Sequence, residues 1–289
     1  MSHKPQSDRR QFLTAAGWFA SSAAFAACGG QTARAATSPS AEDQELPFTL
    51  GLASYTTREF TLTETLAMAH RLELDQICLK SFHLPLDASP EAIREAATEV
   101  KNAGIQLYGG GVITMRDEAQ AEAAFRYARA AGMQTIVGVP MPEILQRVDA
   151  LVKEYDIAVA IHNHGPGDKV YPTPASAYEK IKNLDPRIGL CMDIGHTARI
   201  GEDPVRDAIR FKDRLLDVHL KDVSAAAAEG KTVEIGRGVL DIPAFLQTLL
   251  DIKFSRVASF EYEKDGKDPL PGLAESVGYV RGALAILTG

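Results

Sequence analysis

From Leu46 onward the sequence alternates short apolar runs with longer helical stretches eight times, with no break in composition. The apolar runs predict strands over Phe48–Ser54, Gln76–Lys80, Gln106–Val112, Thr135–Val139, Ala158–Asn163, Ile188–Ile194, Leu216–Lys221 and Val257–Tyr262. The remaining stretches predict helices over Leu62–Arg71, Pro90–Ala103, Glu118–Ala131, Pro142–Tyr155, Pro174–Asn183, Pro204–Phe211, Pro243–Asp251 and Leu273–Leu287. Ile144, Leu145, Val148, Leu151 and Val152 form one apolar stripe, and Ile242, Phe245, Leu246, Leu249 and Leu250 form another. Several helices open on Pro, whose missing N–H costs nothing in a first turn. Gly104 and Gly132 stand where a helix C-terminus needs a residue free to turn left-handed.

Strands alternating with helices imply parallel pairing through right-handed crossovers. Eight such units in about 240 residues match a single TIM barrel. The expected fold is therefore α/β, a single-domain (β/α)₈ TIM barrel over residues 47–289. A doubly wound open sheet is the alternative, weakened because no Gly-rich phosphate-binding fingerprint follows the first strand. Hydrophobic residues make up 45% of the chain, enough for a large core. The formal charge of −7 opposes a nucleic-acid footprint, which needs a basic stripe.

The N-terminus reads as a leader outside the fold. Arg9-Arg10-Gln11-Phe12-Leu13 precedes an apolar stretch from Ala15 to Ala27, the pattern of a Tat export signal over residues 1–35. A disordered basic leader is the plainer alternative. Ala33-Arg34-Ala35 fits a small-x-small cleavage site. Phe25-Ala26-Ala27-Cys28 fits a lipoprotein box in which Cys28 carries the lipid. Residues 36–46 look like a flexible linker. The expected location is the periplasm, reached by the Tat route, or a membrane anchored through Cys28. Of the three cysteines, Cys78 and Cys191 lie in apolar strand candidates and read as buried free thiols.

The polar residues of the predicted barrel fall where a barrel places its active site, at the C-terminal strand ends. His83 follows the second strand, His162 and His164 end the fifth, His196 follows the sixth and His219 nears the end of the seventh. Asp193 ends the sixth strand, and Glu261 and Glu263 end the eighth. Taken singly, each has an ordinary reading: a hydrogen-bonded histidine, a turn-capping Asp193, a solvated glutamate, a Lys221–Asp222 loop pair. Five histidines and several carboxylates at one rim argue for a mixed N/O set around one divalent cation. Such a set suits Mn first, with Zn, Co, Mg or Fe as alternatives, better than Ca.

In Ile161-His162-Asn163-His164-Gly165, Met192-Asp193-Ile194-Gly195-His196, Val218-His219-Leu220-Lys221-Asp222, Gly236-Arg237-Gly238 with Asp241, and Phe260-Glu261-Tyr262-Glu263, the chain resembles the xylose isomerase-like TIM-barrel superfamily of sugar isomerases and epimerases. The resemblance spans Phe48 to the end. It implies metal ligands at His162, Asp193, His219 and Glu261, and substrate roles for His196, Lys221 and Arg237. Epimerase members commonly carry Glu at the fifth-strand position. Here it is His162, with His164 as the substitute two residues on. Lys80 stands where members often place a further carboxylate. Lys80 and His83 face the same mouth and could bind a substrate oxygen or move a proton, and Glu263 is grouped with the substrate contacts.

The chemistry expected from this set is proton abstraction next to a carbonyl, with Lewis-acid stabilisation of the enediolate. Glu261 would act as base. His164, His196, Lys80 or His83 would return the proton. Return to another carbon isomerises a sugar and return to the opposite face epimerises it. The alternatives are β-elimination on a keto-sugar glycoside, phosphodiester cleavage, and a non-catalytic carbohydrate-binding barrel. The expected partner is a small sugar or sugar derivative, with no nucleic acid and no membrane contact beyond a lipid at Cys28; a homo-oligomer is compatible with this reading.

Overall fold

Eight parallel strands close into a barrel. The computed structural model describes residues 46–289. The leader, Cys28 and nearly all of the expected linker lie outside the described residues. The barrel strands are β1 (Thr49–Ala53), β2 (Gln76–Leu79), β3 (Gln106–Met115), β4 (Thr135–Pro140), β5 (Ala158–His162), β6 (Ile188–Asp193), β7 (Leu215–Leu220) and β10 (Val257–Phe260). Each pairs with its sequence neighbour among the barrel strands, and β1 pairs with β10 to close the ring. The short strands β8 (Asp222–Val223) and β9 (Thr232–Val233) form a small antiparallel pair in the long loop after β7.

Helices fill the crossovers: α1 (Leu62–Arg71), α2 (Pro90–Asn102), α3 (Glu118–Ala131), α4 (Leu145–Tyr155), α5 (Pro174–Ile181), α6 (Ile194–Arg199), α7 (Pro204–Arg210), α8 (Ile242–Asp251) and α9 (Leu270–Thr288). Local chemistry sets their ends. Thr61 and Glu64 form a reciprocal capping box at α1. Asp117 caps α3, which stops at Gly132 with φ 72. Several sequence expectations shift: β3 runs three residues further than expected, a 3-10 turn over Pro142–Ile144 precedes α4, α6 forms where only a strand end was expected, α5 and β10 each end two residues early, and α9 starts three residues early.

The apolar stripes of α4 and α8 bury as expected: Val148, Leu151, Phe245, Leu246 and Leu249 are closed from solvent between helices and barrel. A second, small apolar cluster of Cys78, Tyr108, Val137, Ala160 and Cys191 lies apart from this main core. Among the described residues no helix is long and apolar enough to cross a membrane.

Phe245→Ala removes a ring that is 1% exposed and should cost about 3–5 kcal/mol of stability. Ile286→Ala, at an 83% exposed position, should stay within about 0.5 kcal/mol. Urea unfolding of the two variants checks the contrast.

Candidate metal centre

A strand's side chains alternate between its faces, so residues two apart share one face. At the C-terminal ends of β5, β6 and β7, and just past β10, that alternation carries His162, Asp193, His219 and Glu261 to one place. One ligand atom from each lies within 4.8 Å of all the others, and all four residues are buried. His162 Nε2 is 3.2 Å from His219 Nδ1, 3.6 Å from Asp193 Oδ2 and 3.9 Å from Glu261 Oε2. His219 Nδ1 is 3.2 Å from Glu261 Oε2. Donors held about 2.0–2.2 Å from one cation sit roughly 3.0–4.2 Å from each other. The separations therefore suit a shared ion with little movement.

Neighbouring residues aim the set. Asp193 accepts the backbone N–H of His196 on Oδ1 at 2.7 Å, capping α6, which leaves Oδ2 turned to the cluster without a hydrogen-bond donor. The capping role expected of a lone Asp193 and the ligand role thus use different oxygens of one carboxylate. Asn163 accepts the backbone N–H of Asp193 at 3.1 Å and donates to Thr197 at 3.1 Å, tying the end of β5 to the start of α6. Gly195 is needed because a Cβ there would lie 2.8 Å from Lys221 Cγ.

Lys221 lies inside the carboxylate set rather than at the rim where substrate was expected. Its Nζ is 2.8 Å from Asp193 Oδ2, 2.8 Å from Glu261 Oε2 and 2.7 Å from Glu263 Oε1, and the side chain is 1% exposed. The contact to Asp193 is close but lacks hydrogen-bond geometry, so Asp193 Oδ2 counts as an ion-pair partner and not as a satisfied acceptor. Three carboxylates around one ammonium leave two negative charges to be balanced. The protonation preferences register the excess. Burial would push the His219 imidazole down, yet Glu261, Asp217 and Asp193 beside it raise it to about 9. Burial would raise the Asp193 and Glu261 carboxyls, but His196 and Lys221 for Asp193, and Lys221 and His219 for Glu261, hold both well below the carboxylate range. Burial pushes His162 down to about 3 despite Asp193, which leaves a neutral ring fit to donate a lone pair. The residues present thus fit a divalent cation, which would supply the missing positive charge.

Above the cluster opens a cavity of about 200 Å³ lined by Tyr55, Lys80, Val112, His162, His164, His196, Glu261 and Glu263. This is below the roughly 300–1,000 Å³ of drug-sized sites and suits a ligand the size of one sugar ring. A larger groove of about 740 Å³ lies at the opposite end of the barrel, but its lining gathers Arg94, Lys101 and Arg129 and no carboxylate or imidazole. Lys80 donates to the carbonyl of Val112, and its burial lowers the ammonium from its ordinary value against the pull of Glu261. His164 leaves β5, pairs with Asp168 at 3.2 Å and lines the cavity rather than joining the cluster.

Two expected substrate residues are elsewhere. His83 is closed off, with Nδ1 2.9 Å from Ser54 Oγ and Nε2 3.0 Å from Thr65 Oγ1, so its ring holds the β1 and β2 loops together. Arg237 is 63% exposed and paired with Glu275 of α9. Its loop is held by Asp222, which accepts the backbone N–H of Val223, Gly236, Gly238 and Leu240.

The sequence reading missed Tyr55 and Val112 in the cavity wall, and also Arg199. The Arg199 guanidinium lies 3.3 Å from His196 Nδ1 and the Lys221 ammonium 3.4 Å from its Nε2, so a cation flanks the ring on each side. A basic residue three positions after a histidine at a helix start was the available signal.

A model of the family described as xylose isomerase-like TIM barrel matches residues 45–283 of this chain. The rhizopine catabolism protein MocC of Rhizobium meliloti is 27% identical over 133 residues, which span 41% of this chain and 40% of that protein. The match thus spans about two fifths of that relative's length. A crystal structure of an uncharacterised protein from Parabacteroides distasonis is 27% identical, with TM-score 0.64, covering 82% of this chain and 99% of that one. The 3-keto-D-glucoside 4-epimerase of E. coli superposes with TM-score 0.67 at 16% identity, covering 81% of this chain and 99% of that one.

The two imidazoles predict opposite limbs of a stability profile. His219, raised to about 9 in the fold from 6.5, stabilises fully below 6.5 and loses that contribution as pH climbs through about 9. His162, lowered to about 3, stabilises above 6.5 and loses its contribution as pH falls toward 3. In chelator, the alkaline loss of thermal stability should therefore set in above pH 6.5, and His219→Gln should reduce it.

Proposed function

The chain belongs to the xylose isomerase-like TIM-barrel family, and on that premise we propose that it is a divalent-metal-dependent isomerase or epimerase of a small, unphosphorylated sugar. The convergence of His162, Asp193, His219 and Glu261 within 4.8 Å under a sugar-sized cavity carries this reading. These four residues would hold the ion, Mn by preference, with Zn, Co, Mg or Fe as substitutes. The bound ion would supply Lewis-acid polarisation of a carbonyl and its neighbouring hydroxyl.

The chain's own residues carry the proton. Glu261 reaches both the cluster and the cavity, and its carboxylate takes the proton from the carbon beside the carbonyl. Lys80, with its lowered ammonium, lines the same cavity and returns a proton from a different wall. His196 and His164, which line the cavity, hold substrate oxygens. Glu263 accepts from a substrate hydroxyl and shares Lys221, which balances the carboxylate charge. Return of the proton to the neighbouring carbon gives isomerisation; return to the opposite face gives epimerisation. No oxidant or reductant is consumed. The Arg9-Arg10 pattern of the leader supports a periplasmic location, free or tethered through Cys28, as part of this proposal.

A second reading is favoured by one feature of the mouth. Phe82 is 46% exposed and its ring lies 6.0 Å from that of Tyr55, a cavity residue. This apolar edge would seat the aglycone of a keto-glycoside. Loss of that group after the same proton abstraction would make the enzyme a lyase.

Purified protein should hold about one divalent ion per chain, and Asp193→Asn should lose it, as metal analysis would reveal. Incubation of aldo- and keto-sugars with Mn²⁺ in D₂O should place deuterium on a sugar carbon by NMR. Lys80→Met should slow that exchange by about 10²–10⁴-fold while leaving the metal content unchanged. Aglycone release without deuterated sugar would select the lyase. Neither outcome, with binding intact, would leave a carbohydrate-binding barrel.

A further inference from the structure

Two residues before each cluster residue, the same strands point a second set of side chains into the barrel. Cys191 precedes Asp193, Asp217 precedes His219 and Ser259 precedes Glu261. Cys191 stands level with His162 on one side and with Asp217 on the other. Its thiol is fully buried and free. Cys191 Sγ, one nitrogen of His162 and one nitrogen of His219 all lie within 4.8 Å of each other.

The unused ring nitrogens are the second observation. His162 Nε2 and His219 Nδ1 face each other in the carboxylate cluster. The other nitrogens, His162 Nδ1 and His219 Nε2, are buried and have no hydrogen-bond partner. Buried polar atoms of this kind are rare and ask for a ligand. His219 Nε2 lies 4.0 Å from Asp217 Oδ2, which places it toward the layer that holds Cys191. Asp217 is 1% exposed, and Tyr108 OH lies 3.4 Å from each of its oxygens.

We propose that Cys191, His162 and His219, closed by Asp217, form an inner site for a thiophilic ion such as Zn²⁺ or Cd²⁺, one layer deeper in the barrel than the carboxylate cluster. Metal–sulfur bonds of about 2.3 Å and metal–nitrogen bonds of about 2.0–2.1 Å put sulfur and nitrogen about 3.6 Å apart. From the 4.8 Å limit of their spacing, sulfur and nitrogen need to close by about 1.2 Å and the two nitrogens by about 1.5 Å. Binding forms a metal–thiolate bond and sends the Cys191 proton to solvent, with no change of oxidation state.

The inner and outer sites exclude each other. A neutral imidazole has one lone pair and one N–H. An ion bound at the inner nitrogens fixes the protons of both rings on the outer nitrogens, facing the carboxylates, where they can no longer ligate. An oxygen-loving ion such as Mn²⁺ favours the outer set and a soft ion favours the thiolate. The barrel thus sorts metals by depth, and a soft ion at the inner site displaces the one above.

The test uses the full chain carrying Cys28→Ser, so that only Cys78 and Cys191 remain as thiols. Cd²⁺ added to the chelator-treated protein should raise a thiolate-to-metal charge-transfer absorption that saturates at one equivalent. Cys191→Ser should abolish the band and Cys78→Ser should keep it. Mn²⁺ preloaded on the protein should be released by one equivalent of Cd²⁺, read by electron paramagnetic resonance. In Cys191→Ser, release should need at least tenfold more Cd²⁺. Cadmium NMR of the Cys28→Ser protein gives an independent reading should the Cys191 variant not fold: a shift typical of one sulfur with nitrogen donors is expected. No band in that parent, an undiminished band in folded Cys191→Ser, or an all-oxygen-and-nitrogen shift overturns the inner site. Failure of Mn²⁺ to bind at all would sink the catalytic reading and leave the cadmium arm decisive on its own.

Discussion

Three carboxylates gathered around one buried ammonium set the terms for the rest of the molecule. Asp193, Glu261 and Glu263 all reach Lys221 Nζ within 2.8 Å, and Asp193 and Glu261 are almost fully closed from water. Removing charges from water costs several kcal/mol for each ion, which a single opposite charge does not offset for three partners. Such an arrangement persists only on a scaffold that holds the groups in place regardless of their repulsion. The closed sheet is that scaffold. Each ligand is carried on or just beyond a separate strand, and every barrel strand is hydrogen-bonded on both sides. No one strand can draw its carboxylate away without breaking a ladder.

The same register explains why the cluster is layered. Side chains two residues apart share a face, so a polar layer at the mouth fixes which residues form the layer below. Cys191, Asp217 and Ser259 are consequences of where Asp193, His219 and Glu261 sit. Tyr108 enters from the far side of the barrel on β3, its hydroxyl 2.6 Å from Ser259 Oγ. The polar groups of this layer hydrogen-bond only in part, and the inner nitrogens of the two histidines remain without partners.

The barrel was legible because each of its eight units carried its own period, and helix ends were marked by Pro, Gly and capping side chains. α1 and α3 coincide with their expected ranges. The convergence of His162, Asp193, His219 and Glu261 was legible because motif order fixes strand order in a barrel, and strand ends converge. Alternation alone could not choose between His162 and His164, since both belong to one face. The choice lies in where β5 stops: past His162 the chain turns, and His164 leaves the strand to meet Asp168. His83 and Arg237 misled for a related reason. His83 does follow β2 and Arg237 does lie in the loop after β9, but tertiary partners decide where a long or ring side chain goes. Ser54 and Thr65 claim one, and Glu275 claims the other. Lys221 shows the reverse case, a residue read as a rim contact whose stem slides past Gly195 into the charge cluster.

Charge at the mouth also argues for the kind of sugar that fits. The cavity wall carries the carboxylates of Glu261 and Glu263, with Asp193 beneath them. Against these stand Lys221, already shared among three acids, and Lys80, whose burial disfavours its charged form. A divalent ion at the cluster would bring the local sum near neutrality but would leave no surplus for a phosphate dianion. Arg237, which would have supplied a strong phosphate fork, is exposed and held by Glu275. A neutral polyol meets no such opposition: its hydroxyls can donate to carboxylates and accept from His164 and His196. Under the proposed function, the cavity's small volume and the lack of surplus positive charge in its lining work in the same direction, toward one uncharged sugar ring.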